Sequence, residues 1–329
     1  MILSFPLVQR EGVRSVQKLE APQQHNAANS VRFCKHIGSI LLEKCHFNFV
    51  THRIVLGLLV EMSEDRPRSK RLATLVDGFQ SRGKYTFSRQ DIAAAGQRSD
   101  VAFEAAVRRL KKQRRLASPR RGFFVVVPAE YREAGCLPAS WFIDDLMRFI
   151  GQPYYVGLLS AAGIHGAAHQ QPMVFQVVTD RPTRGGRAGR VRIEFRMSRY
   201  VDDAPAVEIQ TETGFMRVST PEVTAYDLVR FPAAAGHLNN VATVLGELAE
   251  KLDAAKLAEL APGYAAPNVQ RLGYLLDLVG QPDLSEPLSQ SLEQRRRRPV
   301  LLAPGEAANG EQPDDRWRVI PNVAVEADI

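Results

Sequence analysis

A chain of 329 residues with 45% hydrophobic and 24% charged residues has the make-up of a globular protein, with room for two domains. Three cysteines are too few for a disulfide framework, which points to a reducing, cytoplasmic setting. The net charge of +7 favours polyanionic partners and says nothing about fold.

The longest apolar run near the start, Ile54 to Val60, is far short of the roughly 20 residues that cross a bilayer. It also lies too deep in the chain for a signal peptide, so no membrane partner is expected. Ahead of it stand Cys34 and Cys45 together with His25, His36, His46 and His52, which are zinc-type ligands. Ligands separated by one residue or none fit no common finger spacing, and no metal site is expected there. Met62 begins "MSEDRPRSKRLATLVDGF", which reads as a natural start, so residues 1–61 read as a disordered or non-native N-terminal extension.

Beyond Met62 the hydrophobic spacing becomes regular. Leu72, Leu75, Val76 and Phe79 recur at offsets of three and four, an amphipathic helix closed by Gly83. "YTF" at Tyr85 to Phe87 is a short extended piece. Ser88 stands as the N-cap of a second helix with Asp91 three residues on, a capping-box spacing, and Gly96 ends it. Ser99 caps a third helix whose buried stripe is Phe103, Ala106 or Val107, and Leu110. After Leu116, "ASPRRG" reads as a turn, and "FFVVV" as a strand bounded by Pro128. Helix, short strand, helix, turn, helix, hairpin is the order of a winged helix-turn-helix, assigned to residues 62–130.

The charges of this segment fit that reading. Arg98, Arg108, Arg109, Lys111, Lys112, Arg114, Arg115, Arg120 and Arg121 are opposed only by Asp100 and Glu104. Arg108, Arg109, Lys112 and Arg115 fall late on the third helix, where they would meet phosphates. Ser88, Gln90, Gln97, Arg98, Ser99, Asp100 and Glu104 fall at helix starts, where an arginine can pair with guanine and a carboxylate can accept from cytosine. Arg120 and Arg121 at the hairpin tip would reach flanking backbone or minor groove. A charge run alone is more often a solvated helix end. Capped helices in this order, joined to a basic turn, favour DNA.

Residues 131–329 read as a mixed α/β domain with a small sheet, making the whole chain α+β to α/β. Helices are expected over "WFIDDLMRFIG" and "PYYVGLLSAAGIHGAAH", then strands over "MVFQVVT", "RVRIEFRM" and "VEIQTETGFMRVS". A helical end follows from "TPEVTAYDLVRF" onward, where Thr220 is an N-cap, Pro221 opens the first turn and Glu222 suits the helix dipole.

Three blocks, "RRGFFVVVPAEYREAG", "YYVGLLSAAGIHGAAHQQPMVFQVVTDRP" and "GFMRVSTPEVTAYDLV", resemble the AbiEi family of type IV antitoxins, and the resemblance runs from about Met62 to the C-terminus. It implies a bacterial transcriptional repressor of a toxin–antitoxin system. An N-terminal winged helix would bind inverted repeats in its own promoter, and a C-terminal domain would counteract a cognate AbiEii-type nucleotidyltransferase toxin. The residues matching the family's DNA-binding segment are Ser88 to Gly96 and Ser99 to Arg121. The stretch before Met62 lies outside the resemblance.

Some features invite an enzymatic reading instead. His165 and His169 sit four apart, a metal-compatible helical spacing, but Gly166 stands where an H-E-x-x-H motif has its glutamate. Asp180 and Glu194 suggest a nuclease's paired acids, yet Arg196 occupies the place of the expected lysine. Arg181, Arg184, Arg187 and Arg190 flank Gly185 and Gly186 in a loop that could form a second basic patch, though without the strand-to-helix context of a phosphate cradle. The run Arg295 to Arg298 reads as a solvated linker. The leading expectation is therefore a non-enzymatic, cofactor-free antitoxin that acts on double-stranded DNA as a monomer or dimer. The alternative is a DNA-directed nuclease or modifying enzyme.

Overall fold

The computed structural model describes residues 71–94, 100–167, 173–293, 295, 297–308 and 310–328. The expected extension 1–61, together with Gly96, Gln97, Arg98, Ser99 and His169, lies outside the described residues.

The first part of the described chain holds helix α1 (Leu72–Gln80), strand β1 (Thr86–Ser88), helix α2 (Arg89–Ala94), helix α3 (Asp100–Lys112) and strands β2 (Leu116–Arg120) and β3 (Phe123–Val126). The three strands pair antiparallel in the order β1-β3-β2. Apolar spacing decides which faces turn inward: α1 buries Leu72, Val76 and Phe79, and α3 buries Phe103, Ala106, Val107 and Leu110. They close over Phe87, Ile92, Leu116, Phe124 and Val126. Ring centroids stand 5.2 Å apart for Phe87 and Phe124, and 5.6 Å for Phe103 and Phe124. Each of these large side chains contributes about 1.5–3 kcal/mol by leaving water.

Local signals set the ends of these helices. The Ser88 amide donates to Asp91 Oδ2 at 2.7 Å and the Asp91 amide to Ser88 Oγ at 3.3 Å, a reciprocal cap on α2. At the other end of the segment, Arg114 takes a left-handed φ of 53° just past α3, and the Arg115 amide returns to the Leu110 carbonyl at 2.9 Å.

The hairpin departs from expectation, because "ASPR" is strand and the turn is only Arg121-Gly122. Arg120 pairs with Phe123, and the register shifts between Ala117 and Arg120, which lets Pro119 sit in a strand without leaving a broken ladder. Gly122 supplies the positive φ of 83° at the tip.

A six-stranded mixed sheet follows. It is built from β4 (Tyr154–Val156), β5 (Phe175–Thr179), β6 (Gly186–Ala188), β7 (Val191–Met197), β8 (Ala206–Thr211) and β9 (Gly214–Ser219), in the order β6-β7-β5-β4-β9-β8. Two expectations are corrected here. "PYYV" is strand β4, with Gly157 separating it from a shorter helix α5 (Leu158–Ile164); the β-favouring Tyr-Tyr-Val run prevails over the helical spacing. "VEIQTETGFMRVS" is two strands, since Thr211 pairs with Gly214 across a two-residue turn.

Alternation across the sheet separates two cores. Val156, Val177, Ile193, Met216 and Val218 pack with Phe123 and Val125 of β3 and with Ile143 and Met147 of helix α4 (Ile143–Ile150), so the small sheet and the large one share a core. Tyr155 and Val178 face the other way, against a helical layer. That layer comprises α6 (Pro221–Arg230), α7 (His237–Leu248), α8 (Ala254–Leu260), α9 (Ala266–Leu278) and α10 (Pro282–Glu293). Helix α6 starts as its sequence indicates, with Thr220 accepting from the Val223 amide and Pro221 in the first turn.

The C-terminal segment closes over the helices through a short parallel pair, β10 (Val300–Leu301) with β11 (Val319–Ile320). Trp317 is fully buried, its indole N–H 2.6 Å from Asp277 Oδ2. It lies so close to Gly273 that a Cβ there would stand 2.2 Å from the ring. The arginine run is correspondingly no free linker. Arg295 donates to the Ala261 and Tyr264 carbonyls at 3.0 and 2.8 Å, and Arg297 to the Arg316 carbonyl at 3.0 Å. No helix among the described residues is long and apolar enough to cross a membrane.

Candidate nucleic-acid interface

Helix α3 presents one apolar and one cationic face. Arg108, Arg109, Lys111, Lys112 and Arg114 are exposed and make no ion pair among the described residues. Lys111 lies 5.8 Å from the Phe124 ring centre, so its stem follows the core edge while its ammonium stays in water. Arg121 is exposed at the hairpin tip and Arg120 is half-buried beside it. Glu104 and Gln90 are also exposed.

Three residues expected to contact DNA are already occupied. Arg115 falls beyond the end of α3 and pairs with Asp77 of α1, so it braces the two helices and is not a free cation on the α3 face. Asp100 pairs with Arg89, although its side chain is 84% exposed. Ser88 spends its hydroxyl on Asp91, at 2.8 Å. Partial burial pushes the Asp91 carboxyl up, but the two Ser88 hydrogen bonds and the Lys84 ammonium 3.5 Å away outweigh it and hold the group below its ordinary value. Ser88 and Gln90 line a cleft of about 600 Å³ together with Arg82, Lys84, Trp141 and Arg148. Reading the sequence placed Arg89, Lys111 and Arg114 within the DNA-binding segment without giving any of them a role, and missed Asp77. Lys111 and Arg114 carried a signal, since they lie in the same basic run; the partners 11 and 38 residues apart carried none.

The arginine-rich loop is partly a strand. Gly186–Ala188 forms the edge strand β6, which abuts β2 so closely that a Cβ on Gly186 would lie 2.5 Å from the Pro119 carbonyl oxygen. Arg184 and Arg187 are exposed there without an ion pair among the described residues. Arg181 and Arg190 are paired, with Asp180 at 3.1 Å and Glu133 at 3.2 Å.

The paired acids expected of a nuclease do not come together. Glu194 stands opposite Gln176 in the β5–β7 register, whereas Asp180 follows Thr179, four residues further along, or about 13 Å at strand rise. Glu194 is clasped between Arg192 at 2.7 Å and Arg196 at 3.2 Å. His165 lies just past the end of α5, with Nε2 2.7 Å from the Ser219 carbonyl oxygen. No cluster of three or more metal-ligating side chains occurs among the described residues.

One ionisable group is buried deep in the helical layer. Asp227 of α6 is fully inaccessible, accepts from the Tyr155 hydroxyl at 2.8 Å through Oδ2, and leaves Oδ1 without a partner among the described residues. Burial pushes its carboxyl up to about 7, against the opposing pull of the Tyr155 hydrogen bond and the Arg230 charge.

Residues 155–278, from β4 to the end of α9, match the AbiEi antitoxin C-terminal domain family. That segment is what the chain shares with the AbiEi antitoxins. Its AbiEi domain therefore includes the Tyr155–Asp227 pair and the sheet from β4 to β9, while the cationic α3 face lies N-terminal to it. No curated protein matches the chain. Among solved structures, the chain is similar to the crystal structure of the Rv2827c protein from Mycobacterium tuberculosis, with a TM-score of 0.55 and 18% identity. The similarity covers 74% of this chain and 89% of that one, and at such identity it is a likeness of fold.

Proposed function

We propose that residues 71–126 form a winged helix-turn-helix that binds double-stranded DNA, and that this AbiEi antitoxin is a type IV, non-enzymatic repressor of its own operon acting in the cytoplasm. The observation that carries this reading is the unpaired cationic face of α3, ending beside the short basic hairpin. Helix α3 takes the place of a recognition helix, and β2–β3 with the Arg121-Gly122 turn that of the wing. Arg108, Arg109 and Lys112 meet phosphates, joined by Lys111 and Arg114. Glu104 lies toward the bases, and Arg120 and Arg121 toward the flanking backbone. Strand β6 lies against β2, so Arg184 and Arg187 extend the same surface next to the wing, and the second basic patch becomes a continuation of the first. Inverted repeats call for two copies of this surface, supplied by a dimer or by two monomers on adjacent half-sites.

The remaining domain, from about residue 131, counteracts a nucleotidyltransferase toxin in this proposal. The AbiEi match supports a toxin–antitoxin role in general.

A gel-shift and salt titration of the full chain, on DNA just upstream of its own gene and on an unrelated fragment of equal length, tests the repressor half. Preferential, salt-sensitive binding to the upstream DNA supports it, and equal binding to both fragments removes it. Co-expression with the toxin encoded beside it tests the other half, and unrelieved growth arrest would count against neutralisation.

A further inference from the structure

Arg89 is the first residue of α2 and sits where three DNA-facing pieces converge. Its guanidinium lies over the Phe103 ring of α3, 4.1 Å from the centroid. One terminal nitrogen, Nη2, pairs with Asp100, the first residue of α3. Its backbone amide donates to the carbonyl of Gly122 at the hairpin tip, at 3.3 Å. The remaining nitrogen, Nη1, is buried without an acceptor among the described residues. A guanidinium with one arm unsatisfied is a poor choice for stability alone, because a buried donor left without an acceptor is costly. Local rules are broken in this way where geometry is held for function.

We propose that Arg89 is a positioning residue for DNA recognition, fixing the first turn of α3 against α2 and the hairpin tip, with Asp100 as its anchor and not a reader of bases. This rests on the winged-helix reading above. A planar side chain that stacks on one residue while pairing with another of the same helix fixes both the rotation and the depth of that helix. The side chains that follow Asp100, beginning with Glu104, then meet base edges from a set orientation. An error of about 1 Å at such a site is enough to lose specificity.

The test uses the full chain and a duplex selected by the wild type from a random-sequence library, compared with a scrambled duplex of equal length across a salt series. Arg89→Lys keeps the charge and loses the planar fork, and Asp100→Asn removes the anchor's charge while keeping its shape. Each is expected to lower the ratio of selected to scrambled affinity by about tenfold, spread over all base positions, with the salt slope unchanged. The double variant should be no worse than either single one, since both break the same contact. Arg121→Ala, by contrast, lowers the slope by about 0.9, the signature of one lost phosphate contact.

A loss confined to one base position in Asp100→Asn would make Asp100 a base reader and overturn the proposal. A slope change of about 0.9 in Arg89→Lys would make Arg89 a phosphate contact and overturn it equally. Hydrogen exchange at the amides of 100–104, measured without DNA, separates this from failure of the winged-helix reading. Should the wild type select no sequence while exchange still quickens in both variants, the helix anchor stands and its service to DNA falls. Unchanged exchange in both variants overturns the anchor itself.

Discussion

Charge is handled in opposite ways by α3 and α6. Helix α3 carries Arg108, Arg109, Lys111 and Lys112 in solvent with no acid among the described residues to pair them, whereas α6 withdraws Glu222 and Asp227 from water almost completely, at 3% and 0% exposure. Five cations from Arg108 to Arg114 repel one another, a repulsion that salt screens and a bound polyanion would relieve. A buried carboxylate suffers the reverse problem, since it has lost water and gained too few donors. Function on α3 is therefore expected to vary with mutation while stability stays put, and α6 should show the converse.

The largest effect expected is on DNA. Replacing Arg108, Arg109 and Lys112 by Ala should weaken binding about a hundredfold at physiological salt and lower the log–log salt slope by about 2.7, with thermal unfolding unchanged. Loss of folding in that variant would erase the contrast, because the cations would then be holding the helix.

On α6 the expectation is a stability change with a definite pH sign. In the unfolded chain the Asp227 carboxyl releases its proton near the ordinary value of 3.8, while the folded protein keeps it until about 7. Between these values the folded state binds more protons, so this group's contribution declines as pH rises from about 4 to 7. Asp227→Asn should remove that decline, giving a flatter curve of melting temperature against pH than the wild type. Parallel curves would show that Asp227 ionises freely when folded. Tyr155→Phe removes the hydroxyl that donates to Asp227 and should cost about 1–3 kcal/mol in urea unfolding, with DNA affinity untouched.

The smallest effect lies where the two modes meet. Asp77→Ala releases Arg115 from its surface pair, which should cost no more than about 0.5 kcal/mol and slightly strengthen DNA binding by adding a free cation. Weaker binding would mean that the brace between α1 and α3 outweighs the charge.

Features encoded over short spans were legible in the sequence. The spacing of Leu72, Val76 and Phe79, the Ser88–Asp91 cap and the Thr220-Pro221 start all act within one or two helical turns, and each appears in the structure. Features decided by pairing across the chain were not. Pro119 and Ser118 look like turn residues until β3 supplies a partner strand, and Tyr154 and Tyr155 fit a helical pattern until β5 and β9 flank them. The same limit governed the site. The exposed cations of α3 could be named from the sequence, but the engagement of Arg115, Asp100, Arg181 and Arg190 depends on acids brought from elsewhere in the fold. The run at Arg295 looked solvated because nothing local reveals the carbonyls it serves.

The absence of a side chain at Gly186 has a kinetic consequence. With its backbone pressed against Pro119, the basic hairpin is held close to its tip by the edge of the larger sheet and has little freedom to swing. Docking then does not have to freeze a mobile loop, a step that subtracts about 0.5–1.5 kcal/mol for every flexible side chain it immobilises. The rate of encounter with a polyanion is left to long-range electrostatic attraction, so it should climb steeply as ionic strength falls. A bulky residue in place of Gly186 would loosen the hairpin and slow association without removing a single positive charge.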